Sequence, residues 1–456
     1  MAELEQQGQQ EGFKEIKKLE HPSQTLEQSC NTLAKFGGFD LLEAVIEGAS
    51  NLNPERKAKK KIFLTESGKK ADRETVKKTM KLWMEILNES DSVGDIIEKA
   101  QQKTESADKC LKSNLKKALE TTADLERSYR SVALFFKNAE SDKIKNVSFM
   151  NAELDQLKDL DNPIFFNKVR EELTAKYDRL DLRENYSIMV LPGYLGSNSV
   201  VEKWAKMAYE NKVMLVTDFA HLDTPDDVME LFEEANLAGG DIYRSAVMMT
   251  CNWLVGRGKV AEVGEEEDLY VPPSGALGGT VYKTLMSQVA AGKKHGGMSE
   301  VDGVKFDLKK SEIANLEKMG LIPMVNEYGK VMSFSAKTLF NGDNLGLQTY
   351  SVVRVFDYIT KVLMDFLNRR AFENFNSKMQ QDLRGQIIKF LDNVTGPGKL
   401  IENFKIQRFE QDPNQKDRIY LDIHMTPYFP AKSFMIKMDG QKGDDGTAWE
   451  SEYAKG

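Results

Sequence analysis

The sequence predicts a mixed α/β protein, and three features of its pattern carry that prediction. Between residues 186 and 257, short apolar runs alternate with amphipathic segments, which is typical of strands joined by covering helices in a largely parallel sheet. Before residue 145 the pattern is helical and rich in charge. After residue 400, apolar and polar residues alternate with the period of two expected for half-buried strands.

The composition is that of a soluble globular protein. Apolar residues make up 41% of the 456 residues and charged residues 29%, and this length allows two or three domains with sizeable cores. The formal net charge of −8 argues against a nucleic-acid binder, which carries a basic footprint. The three cysteines, Cys30, Cys110 and Cys251, are far apart, make no disulfide framework and suit a reducing cytoplasm.

The N-terminal residues are polar and acidic, without the apolar segment of a signal peptide. No run approaches the roughly 20 apolar residues that a membrane span needs. We therefore expect a cytoplasmic protein that does not insert into a membrane.

Changes in composition along the chain predict five regions. Residues 1–20 are rich in Glu and Gln and are expected to be disordered. Residues 21–150 form a charged helical region whose apolar faces are expected to bind a partner. Residues 151–300 form an α/β domain, residues 301–438 form a C-terminal α+β domain, and residues 439–456 are a polar tail.

Three apolar runs are predicted to be buried strands of the α/β domain. They are YSIMVLPGYLG at 186–196, VMLVTDF at 213–219 and SAVMMTCNWLVGR at 245–257. The segment 308–367 continues with a helix ended by Gly320, a strand pair with a turn at 327–329, and a long helix with one apolar face. The charged residues of this long helix fall largely outside its apolar stripe: Arg354, Asp357, Lys361 and Asp365.

Three further strands are predicted at 404–409, 418–425 and 433–438. Their alternation places alternate apolar side chains on one face, and the edges of these strands offer unpaired backbone groups to another chain. The side chains that we expect to serve such contacts are Ile419, Leu421 and Ile423 in the second strand and Phe434 and Ile436 in the third.

No convergent set of catalytic residues is apparent. The spacing D-x-x-H-x-D at Asp218, His221 and Asp223 fits a metal half-site or an oriented general base, but no second cluster lies near it, so a structural or solvated role is favoured. Cys251 lies in an apolar strand and is interpreted as a core residue. We expect no catalytic residue, no cofactor and no metal.

The order and spacing of three segments resemble the large contractile-sheath subunit of bacterial type VI secretion systems, the TssC family. The segments are MGLIPMV at 319–325, VMSF at 331–334 and YSVVRVFDYITKVLMD at 350–365. The resemblance spans residues 185–438, and the segment VPPSGALGG at 271–279 is also similar to phage tail sheath proteins. The family's RPHF is TPYF here, at Thr426 to Phe429, so the chain is identified as a divergent branch.

The resemblance implies a contractile tail-sheath-like fold, with a helical N-terminal arm and a C-terminal α+β sheath domain. It also implies a structural protein that pairs with a small sheath subunit and stacks with its own copies in six-fold rings around an inner tube protein. Contraction then propels the tube and its effectors out of the cell. A baseplate and a recycling ATPase complete the implied partners, and the chain itself would not be an enzyme.

A limited polar contact with the tube is expected, since the sheath must release the tube during contraction. The candidate surface is the polar side of the helices at 350–392, for which an ordinary solvated face is the alternative. Its basic residues are Lys361, Arg369, Arg370, Lys378 and Arg384.

Two other functions are left open by the sequence. One is a phage-type tail sheath that builds its lattice alone, which a small sheath gene directly upstream would exclude. The other is an α/β enzyme with a site near Pro192, Asp218 and Gly256, at the ends of predicted strands, which a cofactor retained on purification would favour.

Overall fold

The computed structural model describes residues 65–89, 92–140, 146–432, 435–441 and 448–454, together with the single positions 63, 142 and 144. The chain forms two compact units, residues 1–114 and 115–456. The stretch 1–20, for which disorder is predicted, and Phe434 lie outside the described residues.

Two long helices are described within the predicted charged helical region, and others cover the sheet. None of them combines the length and apolar character that crossing a membrane requires. The helices are α1 (Lys70–Asn88), α2 (Val93–Asn138), α3 (Leu154–Lys158), α4 (Ile164–Tyr177), α5 (Asn198–Glu210), α6 (Pro225–Ala235), α7 (Ser274–Lys283), α8 (Gly292–His295), α9 (Lys310–Met319), α10 (Tyr350–Asn368) and α11 (Ser377–Val394).

All described strands lie in the second unit. They are β1 (Ile188–Tyr194), β2 (Met214–Asp218), β3 (Val247–Cys251), β4 (Leu254–Arg257), β5 (Leu269–Val271), β6 (Gly303–Val304), β7 (Leu321–Glu327), β8 (Lys330–Ser333), β9 (Ile401–Gln411), β10 (Ile419–Pro427), β11 (Met435–Gln441) and β12 (Ala448–Ala454).

A five-stranded sheet in the order β1-β2-β3-β7-β8 forms the centre of the second unit. The first four strands run parallel and β8 runs antiparallel, which confirms the predicted largely parallel sheet. Helices cover both faces, so β2 is buried throughout: Leu215 enters one apolar cluster, and Met214 and Val216 enter the other.

The run 245–257, predicted as one strand, is two strands in two sheets. β3 ends at Cys251, Asn252 takes a left-handed φ of 65°, and β4 starts a separate antiparallel sheet in the order β5-β4-β6. The Asn252 amide donates to the carbonyls of Phe306 and Met324, both at 2.8 Å. These tertiary hydrogen bonds stabilise the bend at Asn252, which the continuous apolar pattern of the sequence does not indicate.

The predicted helix end and hairpin in the segment 308–367 are confirmed. Gly320 ends α9 with φ 100°, and the turn between β7 and β8 uses Tyr328 and Gly329 at φ 56° and 72°. Strands β7 and β8 share one sheet with β1–β3. The regions predicted before and after residue 300 therefore both contribute strands to the same sheet.

A third apolar cluster lies beside the sheet, where α10 and α11 pack against the β9–β10 hairpin. A second hairpin, β11–β12, follows along the chain. The range 439–456, predicted as a polar tail, thus contains the end of β11 at Gln441 and strand β12 at Ala448–Ala454.

Candidate assembly surfaces

The β9–β10 hairpin packs one face against the body of its own chain. Leu421 pairs with Phe409 and Ile423 pairs with Ile406, and both β10 side chains are half-buried against the cluster that α10 and α11 form. Ile419 is exposed at the end of the strand, with 39% of its surface accessible. Leu421 and Ile423 thus share a face that packs on their own chain instead of serving another chain, whereas Ile419 is exposed.

The last four strands form two isolated hairpins. Within the described residues, β11 pairs only with β12, and β9 pairs with β10 apart from a single bridge between Thr395 and Ile401 at its start. The outer edges of both hairpins are therefore largely open. On β11, Ile436 and Met438 lie on one side of the alternation and are 54% and 51% exposed. Two open edges and an exposed apolar pair make this hairpin a candidate for strand addition.

Lys361, one of the predicted tube-contact residues, is turned into the protein. Its ammonium donates to Asn185 Oδ1 at 3.2 Å, to the Tyr186 carbonyl at 3.1 Å and to the Lys212 carbonyl at 2.9 Å. Burial lowers the pKa of Lys361 to about 8. With three donors engaged, this side chain ties α10 to the chain segments before β1 and β2.

The other four basic residues are accessible to different degrees. Arg369 pairs with Asp365, and the Arg370 guanidinium bridges Glu373 at 2.7 Å and Asp382 at 3.0 Å. Lys378 and Arg384 lie exposed on α11, and no ion pair of theirs is present among the described residues. These two residues are therefore the positive charges of the predicted tube-contact surface without an ion pair in the described part of the chain.

Asp218, the first residue of the D-x-x-H-x-D motif, is fully buried and joins four elements. Its carboxylate accepts hydrogen bonds from the Gly193 amide, the Thr250 hydroxyl, and both the amide and the hydroxyl of Ser274, at 2.6 to 2.8 Å. Burial raises the pKa of Asp218, and the donated hydrogen bonds oppose that shift. The residue links β1, β2, β3 and the start of α7.

Of the remaining residues considered for chemistry, His221 and Cys251 are held by packing and Asp223 by an ion pair. The His221 ring lies between those of Trp253 and Tyr270, each centroid 4.9 Å away, and burial lowers its pKa. Asp223 pairs with Lys305 at 2.8 Å. Burial raises the pKa of the Cys251 thiol. No group of three potential metal ligands occurs in the described ranges of the chain.

Models of one protein family match almost the whole chain. The central domain of type VI secretion system TssC/VipB matches residues 117–341, and the TssC/VipB-like C-terminal domain matches residues 349–455. The TssC/VipB-like N-terminal region matches residues 26–115. The chain belongs to the TssC/VipB family. It is thus a structural subunit of a type VI contractile sheath, as the resemblance in sequence implied.

Solved structures of contractile injection systems are weakly similar to this TssC/VipB chain. The anti-feeding prophage baseplate structure shares 14% identity over 68% of this chain and 80% of that chain, with a TM-score of 0.48. The contracted helical sheath of the same prophage shares 15% identity over 66% of this chain and 78% of that chain, with a TM-score of 0.46. The sheath tail protein from Desulfitobacterium hafniense shares 12% identity over 63% of this chain and 60% of that chain, with a TM-score of 0.37. No curated protein sequence matches the chain.

Proposed function

We propose that this TssC/VipB subunit builds its sheath together with a small sheath protein, in six-fold rings around an inner tube protein in the cytoplasm. Contraction then drives the tube and its effectors out of the cell, and the baseplate and a recycling ATPase are further partners. The chain serves as a lattice element without catalysis of its own. Its candidate catalytic groups Asp218, His221 and Cys251 are each engaged in packing or hydrogen bonding.

One observation carries the assembly mode. The β11–β12 hairpin combines open strand edges with the exposed apolar pair Ile436 and Met438. A strand added from another subunit would pair the backbone groups and cover these side chains, and a hairpin on a linker keeps subunits joined while their bodies move. The exposed apolar residues of α2, such as Leu125 and Tyr129 at 73% each, offer a helical surface for the small partner.

The double substitution Ile436→Asp with Met438→Asp is expected to prevent sheath formation while leaving the subunit folded. The two carboxylates would stand against the side chains of the added strand and the subunit that carries it, and burying unpaired charges is prohibitive. Negative-stain electron microscopy and pelleting of the full chain, co-expressed with the small sheath protein, measure the loss. Because both residues are exposed in the single chain, its unfolding midpoint should stay unchanged.

The matched control is His424→Asp, which puts a carboxylate on the exposed side of β10. That variant should assemble as the wild type does. Ile423→Asp is a poorer probe, because Ile423 packs against the α10–α11 cluster of its own chain and its loss would disturb folding as well. Sheaths of normal length from the Ile436→Asp, Met438→Asp variant would contradict strand addition at this hairpin.

The tube contact is the second part of the proposal. Lys378 and Arg384 are the cations of this surface that form no ion pair within the described residues, since Lys361 is engaged inside, Arg369 pairs with Asp365 and Arg370 bridges two carboxylates. We expect Lys378→Glu with Arg384→Glu to leave the complex with the small sheath protein intact and to reduce sheath growth on purified tubes by about ten-fold. The reason is that charge complementarity governs such limited contacts.

Sheath length on preformed tubes at several salt concentrations measures this effect. The wild-type contact should weaken as salt screens the attraction. The control is Lys310→Glu with Lys318→Glu, which reverses two exposed lysines of α9 that have no ion pair among the described residues. Equal growth of both variants would place the tube contact on another surface.

A phage-type sheath that needs no small partner is the second candidate. It would be supported if the purified full chain alone formed contractile tubules. The match of the family model for the N-terminal region, over residues 26–115, favours the two-protein sheath.

A further inference from the structure

A basic and aromatic patch lies at the tip of the β7–β8 hairpin and the neighbouring α8. It consists of Lys293, Lys294, Lys330 and Tyr328, all of them exposed. None of the three lysines has a carboxylate at ion-pair distance in the part of the chain that the structure describes. The three lysines outnumber the one carboxylate at the hairpin tip, Glu327, which stands opposite Lys330 in the strand register. The patch is therefore net positive in a chain whose net charge is −8.

The patch is held rigidly. The amide of Met298 donates to the Val331 carbonyl at 2.9 Å and the amide of Ser333 to the Gly296 carbonyl at 3.1 Å, so the loop after α8 is bonded to β8. Tyr328 is 68% exposed at φ 56°, and the Lys293 ammonium lies 5.2 Å from the centroid of its ring. An exposed tyrosine with a cation over its ring is a typical anchor of a protein interface.

The same chain carries a surface of opposite charge. In the loop between β4 and β5, Glu262, Glu266 and Glu267 are exposed and form no ion pair within the described residues. The loop is fixed from within, because Glu265 pairs with Arg257 at 2.7 Å and accepts from the Val260 amide at 2.7 Å. No ion pair joins this acidic loop to the basic patch among the described residues.

We propose that the patch of Lys293, Lys294, Lys330 and Tyr328 binds the acidic loop, Glu262 to Glu267, of a second copy of this chain. The charges are complementary, and both surfaces are rigid in the single chain. Two different surfaces of one molecule that fit each other make a heterologous contact, which propagates from copy to copy into a ring or a helix. This inference rests on the proposed function, since it supplies a contact between neighbouring subunits of the sheath.

A charge exchange tests the contact. The basic-patch variant carries Lys293→Glu, Lys294→Glu and Lys330→Glu. The acidic-loop variant carries Glu262→Lys, Glu266→Lys and Glu267→Lys. In the full chain co-expressed with the small sheath protein, each set is expected to lower the yield of pelletable sheath by about ten-fold or more, because attraction becomes repulsion. The chain with both sets should regain most of the wild-type yield, since the attraction is restored with its sign exchanged.

Disulfide trapping provides a second readout that does not depend on yield. In a background with Cys30→Ser and Cys110→Ser, the Lys294→Cys and Glu266→Cys substitutions should give chain-to-chain disulfides in isolated sheaths under mild oxidation. The pair Lys318→Cys and Glu266→Cys is the control and should remain uncrosslinked. The reversal Lys310→Glu with Lys318→Glu is the matched charge control and should assemble normally.

The outcomes separate this contact from the proposed function. Rescue by the double set, together with the disulfide ladder, supports the contact. Two results would overturn the contact while the sheath function stands. One is a normal yield of sheath from either reversed set alone. The other is a chain with both sets that forms no sheath, together with no disulfide between Lys294→Cys and Glu266→Cys in assembled sheaths. If the wild-type chain forms no sheath with the small protein, the proposed function fails, and this contact fails with it.

Discussion

Gly275→Ala and Gly279→Ala are each expected to destabilise the second unit by about 3 kcal/mol, the upper end for overpacking a tight contact. Both glycines lie on α7 where it crosses α2. A Cβ atom would stand 2.2 Å from the Ser131 carbonyl oxygen at position 275 and 2.3 Å from the Phe135 carbonyl oxygen at position 279. These obstacles are backbone atoms of a helix, so they cannot rotate away as a flexible side chain would.

The matched control is Gly385→Ala on α11, where a Cβ atom meets nothing within 4 Å. The same chemical change should there stabilise the protein by about 0.5–1 kcal/mol, since alanine favours a helix interior. Urea unfolding of the full chain, followed by tryptophan fluorescence to which the buried Trp204 contributes, measures both effects. An unchanged midpoint for Gly275→Ala would show that α2 and α7 do not touch so closely.

Asp218→Ala is expected to cost about 4 kcal/mol or more of folding stability. The substitution leaves four buried donors, from Gly193, Thr250 and Ser274, without their acceptor. Each orphaned donor costs roughly 1–3 kcal/mol, and relaxation of the cavity recovers only part of the sum. Asp218→Asn should fall between the two proteins, because the amide keeps one acceptor oxygen and turns an NH₂ group toward donors.

Asp223→Ala in the same motif is the control. This carboxylate is 81% exposed and pairs with Lys305 at the surface, so its loss should change stability by less than about 1 kcal/mol. Thermal and urea unfolding of both variants measure the contrast. If the two aspartates proved equally important for stability, the role of Asp218 in joining β1, β2, β3 and α7 would be wrong.

Local pattern predicted a large part of the fold. Apolar runs placed β1 and β2, the glycine at 320 marked the end of α9, and the turn at 327–329 marked the β7–β8 hairpin. These features depend on the preferences of a few neighbouring residues, namely left-handed backbone at glycine and side-chain alternation along a strand. The order of such segments also resembled the TssC family, to which the chain belongs.

The candidate surfaces were harder to predict, because exposure depends on what packs against a residue. The apolar stripe of α10 suggested that Arg354 and Lys361 face solvent, yet Arg354 is 7% exposed and Lys361 donates to three oxygens inside the protein. Helix α10 lies between the sheet and the hairpin layer, so both of its sides are covered. A single helix pattern carries no information about a second covering layer.

The amino-acid sequence by itself determined the class of fold, the buried strands, the hairpin at Tyr328 and the family, because these depend on neighbours along the chain. Only the tertiary structure decided that residues 245–257 divide between two sheets at Asn252. It also decided that the backbone of α2 packs directly against Gly275 and Gly279 of α7. It also decided that the carboxylate of Asp218 joins four elements. Each of these depends on groups distant in the chain that meet only when the chain is folded, so no local period or propensity records them.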